Sequence, residues 1–171
     1  MKSYIHIYTG KGKGKTTAAL GLALRAVGAG KRVFFAQFVK GKPYSEINVI
    51  QDQIPQIKLK QFGRGCFIVE KPEKEDIEAA QNGLKELEKI VQSGDYDLVV
   101  LDELTIALYY DLFSVEDVLS MLRNRSEYCE IVITGRNAPL ELIEIADLVT
   151  EMTEVKHYYN EGVEAREGIE F

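Results

Sequence analysis

The chain has 171 residues, 46% hydrophobic and 28% charged, a balance that suits one soluble globular domain with a substantial core. Its 21 Lys and Arg against 27 Asp and Glu give a formal net charge of −6, which argues against broad nucleic-acid binding. Two cysteines without CxxC spacing and two isolated histidines argue against a disulfide framework or a histidine-rich zinc centre. No apolar run reaches membrane-spanning length, and the N-terminus enters a strand without a signal-peptide pattern, so a cytoplasmic protein with no membrane partner is expected.

In chain order, Tyr4 to Tyr8 reads as an apolar strand. It runs into Thr9-Gly10-Lys11-Gly12-Lys13-Gly14-Lys15-Thr16-Thr17, and Thr16 to Val27 then reads as an Ala- and Leu-rich helix. Glycines at alternate positions let successive backbone N–H groups curl into a cradle for anionic oxygens. Lys15 is placed to reach the phosphates of a polyphosphate, the Thr16 hydroxyl to ligate Mg²⁺, and the helix N-terminus adds free N–H groups. Gly14-Lys15-Thr16 ends the P-loop pattern GxxxxGK[ST], but Thr9 stands where that pattern starts with glycine, and Gly10 follows one place later.

Gly28-Ala29-Gly30 stops the helix, and Val33 to Val39 forms the next strand, with a weaker candidate from Ile57 to Phe62. Ile77, Ala80, Leu84, Leu87 and Ile90 recur at helical spacing between Glu75 and Val91. Tyr96 to Leu101 is an apolar run that closes on Asp102-Glu103, resembling a Walker B strand whose acids meet the loop's metal ion. Ser114 with Asp117 reads as a capping box before Val115, Val118, Leu119 and Leu122. Glu130 to Thr134 is a strand, Pro139 to Ala146 a short helix and Leu148 to Met152 a last strand. Residues 154–171 show no period and read as a C-terminal extension. The alternation predicts an α/β fold, a single P-loop (RecA-like) domain over 1–171 with a mostly parallel sheet and helices on both faces.

Several stretches together resemble a family: GKGKGKTTAALGLALRAVGAGK (10–31), AQFVKG (36–41), LVVLDELTIALYYDL (98–112), VITGRNAP (132–139), LIEIADLVTEM (142–152) and VKHYYNEGVEAREGIEF (155–171). They are similar, in collinear order, to the ATP:corrinoid adenosyltransferases of the P-loop type. The resemblance implies transfer of the 5′-deoxyadenosyl group of ATP to the Co(I) of a reduced corrinoid, with triphosphate released and the phosphate chain reversed relative to ordinary P-loop enzymes. It implies Mg²⁺, a cobalamin or cobinamide substrate, an electron-donating reductase and a homodimer.

On that resemblance Gly10, Lys11, Gly12, Lys13, Gly14, Lys15, Thr16 and Thr17 cradle the leaving group, with Lys15 and Glu103 as catalytic residues and Thr16, Glu103 and Asp102 around the metal. Arg25 is a candidate nucleotide or corrinoid contact, or a solvated helix residue. Gln37 and Phe38 end a strand on the ligand side, although Phe38 also suits the core. Arg136, in the loop after a strand, is a candidate phosphate ligand. In Phe62-Gly63-Arg64-Gly65-Cys66-Phe67-Ile68, Cys66 and Ile68 stand where well-known members carry aromatics that displace the corrinoid's lower axial ligand. By the residues alone, a small-molecule kinase or ATPase, with Glu103 as base, and a non-catalytic ATP-binding regulatory module stay open.

Overall fold

Strand placement follows the apolar runs. In the computed structural model, which describes residues 2–39, 44–63 and 72–171, the strands are β1 (Ile5–Thr9), β2 (Val33–Phe38), β3 (Ile57–Phe62), β4 (Leu98–Asp102), β5 (Glu130–Thr134) and β6 (Leu148–Glu151). The helices are α1 (Lys15–Gly28), α2 (Ser45–Gln53), α3 (Lys74–Ser93), α4 (Leu104–Tyr109), α5 (Val115–Arg123) and α6 (Leu140–Ile145), followed by a 3₁₀ turn at Tyr158–Glu161. The strands join in the order β3-β2-β4-β5-β1-β6, and every pairing is parallel. This is the α/β sheet expected from the alternation of elements.

The sheet divides two cores by residue parity. Phe34, Ala36 and Phe38 of β2, Val99 and Leu101 of β4 and Ile131 and Ile133 of β5 share one cluster with Ala80, Leu84 and Leu87 of α3, Leu119 of α5 and Leu142 of α6. Val33, Phe35, Leu98, Val100 and Val132 turn to the other face and meet Ala19 and Ala23 of α1 and Ile50 of α2. Side chains alternate along a strand, so a strand covered on both faces must be apolar throughout. All of β2 and β4 is buried, whereas the edge strand β6 is exposed along its length.

Connections from β1 and β5, which lie side by side, leave in opposite directions: α1 leads across the sheet to β2, and α6 leads back past β1 to β6. Such a switch opens a crevice at the carboxyl ends of the strands. The glycine loop after β1, Asp102-Glu103 at the end of β4 and Gly135-Arg136 after β5 all meet there.

Most predicted elements appear within a residue or two of their expected ends, and the Ser114–Asp117 capping box forms as read. Two helices lie outside those expectations. In α2 only Ile47 and Ile50 are buried, which is too few anchors to show a period. α4 is six residues long and four of them are buried, so it is too short and too covered to show one apolar face against a polar one. Residues 64–71 lie outside the described residues, and with them Cys66 and Ile68. Cys129 is buried, which pushes its thiol pKa up to about 12 and leaves it an inert core residue.

Gly83 in the middle of α3 has a packing reason. A Cβ there would stand 2.6 Å from a ring carbon of Phe62, and that ring is itself stacked on Phe38 with centroids 5.6 Å apart. Alanine gains about 1 kcal/mol of helix propensity over glycine, but overpacking a filled core costs about 1–3 kcal/mol. Gly83→Ala is therefore expected to lower Tm by a few degrees in a thermal melt; a higher Tm would show that the Phe62 ring yields without cost.

Candidate functional site

The glycine loop is stitched to the end of β6. Gly12 donates its N–H to the Met152 carbonyl at 2.7 Å, and Met152 donates its own N–H to the Thr9 carbonyl at 2.8 Å. The approach leaves no space for side chains: a Cβ on Gly10 would lie 2.5 Å from the Met152 oxygen, and one on Gly12 2.7 Å. Gly10 and Gly14 also have φ of +96° and +116°, conformations that favour glycine. Thr9, the departure from the usual pattern, is the last residue of β1 and pairs with Glu151 of β6. The strand runs one residue further than the pattern assumes, and the glycine is needed one residue later.

Lys15 opens α1 and is buried. Its ammonium donates to the carbonyl oxygens of Gly10 at 2.8 Å and Gly12 at 2.7 Å, so it closes the loop on itself. Burial lowers its pKa below the ordinary lysine value, while Glu103 and Asp102 act against that shift. Thr16, the next residue, donates its hydroxyl to Asp102 Oδ1 at 2.8 Å.

Asp102 is fully buried at the end of β4. The same Oδ1 accepts the Thr134 hydroxyl of β5 at 2.7 Å, and Oδ2 accepts the Gln37 amide of β2 at 3.4 Å. Gln37 is in turn held by the Gln61 amide of β3 at 3.2 Å. A carboxylate in such a place is tolerable because hydrogen-bond donors surround it. Glu103 follows in the left-handed region at φ 59°, and its N–H donates to Thr134 Oγ1 at 3.0 Å. Thr134 thus fixes both acids. One residue past β5's closing turn, the Arg136 carbonyl accepts the Thr105 hydroxyl of α4 at 2.7 Å.

These pieces surround a cavity of about 510 Å³. Of the residues singled out by sequence, Lys11, Gly12, Lys13, Gly14, Lys15, Thr16, Thr17, Glu103 and Arg136 line it. Gly10, Asp102 and Gln37 stand behind that lining. Phe38 is fully buried between Phe62 and Phe113, a core position as its apolar character allowed. Arg25 is exposed on α1 and is not part of the lining; its charge acts on Tyr8.

The rest of the lining lies outside the candidate site residues read from the sequence. Leu20, Tyr44, Ser45 and Glu46 close one side, and His157 with Gly168–Phe171 closes another. The Lys13 ammonium reaches this C-terminal segment, donating to Glu170 Oε1 at 2.6 Å, the Ile169 carbonyl at 2.9 Å and Tyr158 Oη at 3.0 Å. Ser45 of α2 donates its hydroxyl to the Phe171 carbonyl at 3.2 Å. His157 caps the 3₁₀ turn by accepting the Tyr159 N–H at 3.1 Å, a structural role. Resemblance was the one signal that gave the tail importance, since its composition is polar and aperiodic.

The donor set bears on which metal would suit the cavity. No group of three or more His, Cys, Asp or Glu is gathered among the described residues. One threonine hydroxyl beside two carboxylates is an all-oxygen set, incomplete by itself. It fits a hard cation such as Mg²⁺, which keeps waters and takes further oxygens from a phosphate substrate.

Comparison with known proteins gives the family. The family model for the ATP:corrinoid adenosyltransferase BtuR/CobO/CobP matches residues 1–171. A corrinoid adenosyltransferase of Escherichia coli is 36% identical over 172 residues, covering 99% of this chain and 86% of that protein. Corrinoid adenosyltransferase CobA of Salmonella typhimurium is 37% identical with the same coverage. A corrinoid adenosyltransferase of Pseudomonas aeruginosa is 35% identical over 96% of this chain and 82% of its own length. With the whole chain matched and the loop, the paired acids and the Arg136 turn drawn to one crevice, this protein belongs to the ATP:corrinoid adenosyltransferase family.

Proposed function

We propose that this chain transfers the 5′-deoxyadenosyl group of ATP to the Co(I) of a reduced corrinoid and releases triphosphate. The observation that carries the reading is the cavity itself: three loop lysines and Arg136 share it with the carboxylate of Glu103, in a chain of this family. Co(I) is the nucleophile. Its electron pair forms the cobalt–carbon bond at C5′, the C5′–O bond breaks, and that oxygen leaves with the bonding pair on triphosphate.

The protein then needs neither a nucleophile nor a general base of its own. What remains is positioning and the accommodation of leaving-group charge. Gly10 to Thr17 shape the cradle, with Gly14, Lys15 and Thr16 at the start of α1 and Lys11 and Lys13 adding charge at its mouth. Lys15 turns its ammonium from the loop carbonyls to the phosphates as they enter. Arg136 meets the phosphate chain from the β5 side.

Thr16 and Glu103 would hold Mg²⁺, with Asp102 orienting Thr16 from behind. When bound, this ion neutralises charge on the triphosphate. Gln37 acts through Asp102, and Phe38 supports β2 by packing. Arg25 does not line this cavity; exposed on α1, it is a candidate corrinoid contact only. An electron-donating reductase that supplies Co(I) and a homodimer belong to the same proposal. The exposed Leu148 and Val149 on the β6 edge support self-association.

Product analysis tests the reading. With ATP, Mg²⁺ and chemically reduced corrinoid, triphosphate and adenosylcorrinoid are expected in equal amounts; ADP with phosphate, or a phosphorylated product, would contradict it. Lys15→Ala is expected to lower kcat/KM for adenosyl transfer by about 10²-fold or more, on the scale of losing one preorganised charge-stabilising group. Absorbance of the adenosylated corrinoid reads this directly, and full activity in the variant would remove Lys15 from the mechanism.

A further inference from the structure

Lys13 stands in the middle of the glycine loop, yet its ammonium is turned to the C-terminal segment. Each of its three protons has an acceptor there, in Tyr158 Oη, the Ile169 carbonyl and Glu170 Oε1. Glu170 is the centre of this contact. Its carboxylate also accepts the Tyr158 hydroxyl, the Arg166 backbone N–H at 2.7 Å and the Arg166 guanidinium at 3.4 Å.

An ammonium, a guanidinium, a hydroxyl and a backbone N–H are the donors that a protein presents to a phosphate oxygen. Here a carboxylate of the same chain receives them. The Glu170 side chain is 17% exposed, against 39% for Lys13. Lys13 and its companions hold the Glu170 carboxyl well below the usual carboxylate range, and Glu170 in turn raises the Lys13 pKa. Gly168–Phe171 wall the same cavity as the loop, so the segment sits where incoming phosphates arrive.

A phosphate and Glu170 compete for one ammonium. Lys13 has three protons to give, and each one donated to a phosphate oxygen is withdrawn from the tail. The Glu170 charge also repels a polyanion in the cavity. Resting on the reading of the loop as a polyphosphate site, we propose that residues 158–171 are a strap whose Glu170 carboxylate holds the place of a phosphate on Lys13, and that triphosphate binding displaces it.

The test uses the full chain with inorganic triphosphate and Mg²⁺. Titration calorimetry is expected to give Glu170→Gln a Kd about two- to fivefold lower than the wild type, the scale of a partly exposed ion pair. Hydrogen exchange on the wild type needs no variant to fold. There the amides of Arg166, which donates to Glu170, and of Glu170, which donates to the Arg166 carbonyl at 2.9 Å, are expected to exchange faster when triphosphate is added. If the wild type binds triphosphate but the variant binds no tighter, or those amides slow, the strap is overturned while the loop reading stands. If neither protein binds triphosphate, the loop reading fails and the strap with it.

Discussion

One buried carboxylate organises the ligand end of this sheet. Asp102 has no exposed surface, and water is replaced around it by donors from three other segments: Thr16 at the start of α1, Thr134 at the end of β5 and Gln37 in β2. Removing such donors leaves a buried acceptor unsatisfied at about 1–3 kcal/mol each, so the four segments cannot drift apart independently. The hydroxyl of Thr16 and the backbone of Glu103 are both set by this arrangement, directly or through Thr134. The geometry of the cavity is therefore a consequence of core packing and of a polar network that the core encloses.

Charge is distributed to the same end. A chain with a net charge of −6 gathers Lys11, Lys13, Lys15 and Arg136 around one cavity, beside the carboxylates of Glu46, Glu103 and Glu170. Two of those cations are engaged inside the protein. Lys15 is folded back on the loop carbonyls, and Lys13 is held by the tail. In both, protein oxygens accept the hydrogen bonds that, in the proposed reading, phosphate oxygens would compete for.

Much of this was legible in the sequence, for identifiable reasons. β2 and β4 are covered on both faces, so their side chains are apolar without a break and stand out. Lys15-Thr16 and Asp102-Glu103 were expected at one place because phosphate and metal chemistry asks for those residue types at strand ends, and the Thr16–Asp102 hydrogen bond joins the two segments. The contacts that closed the cavity were not legible. Tail and loop meet across 157 positions through Lys13 and Glu170, and nothing in the local pattern of residues 154–171 signals it. Gln37 and Phe38 are adjacent, and only their burial separates a member of the Asp102 network from a core aromatic. Thr9 departs from the loop pattern because β6 extends the pairing of β1 by one residue, a contact that local sequence does not signal.

In the proposed reading, the Asp102 network builds the polyphosphate site. The most direct measurement is the thermal stability of Asp102→Ala, with and without inorganic triphosphate and Mg²⁺. A lower Tm is expected in the free variant, because Thr16, Thr134 and Gln37 lose their shared acceptor, together with loss of the triphosphate-induced rise in Tm that a site-binding ligand gives the wild type. A folded Asp102→Ala protein that keeps the full triphosphate-induced rise would contradict it.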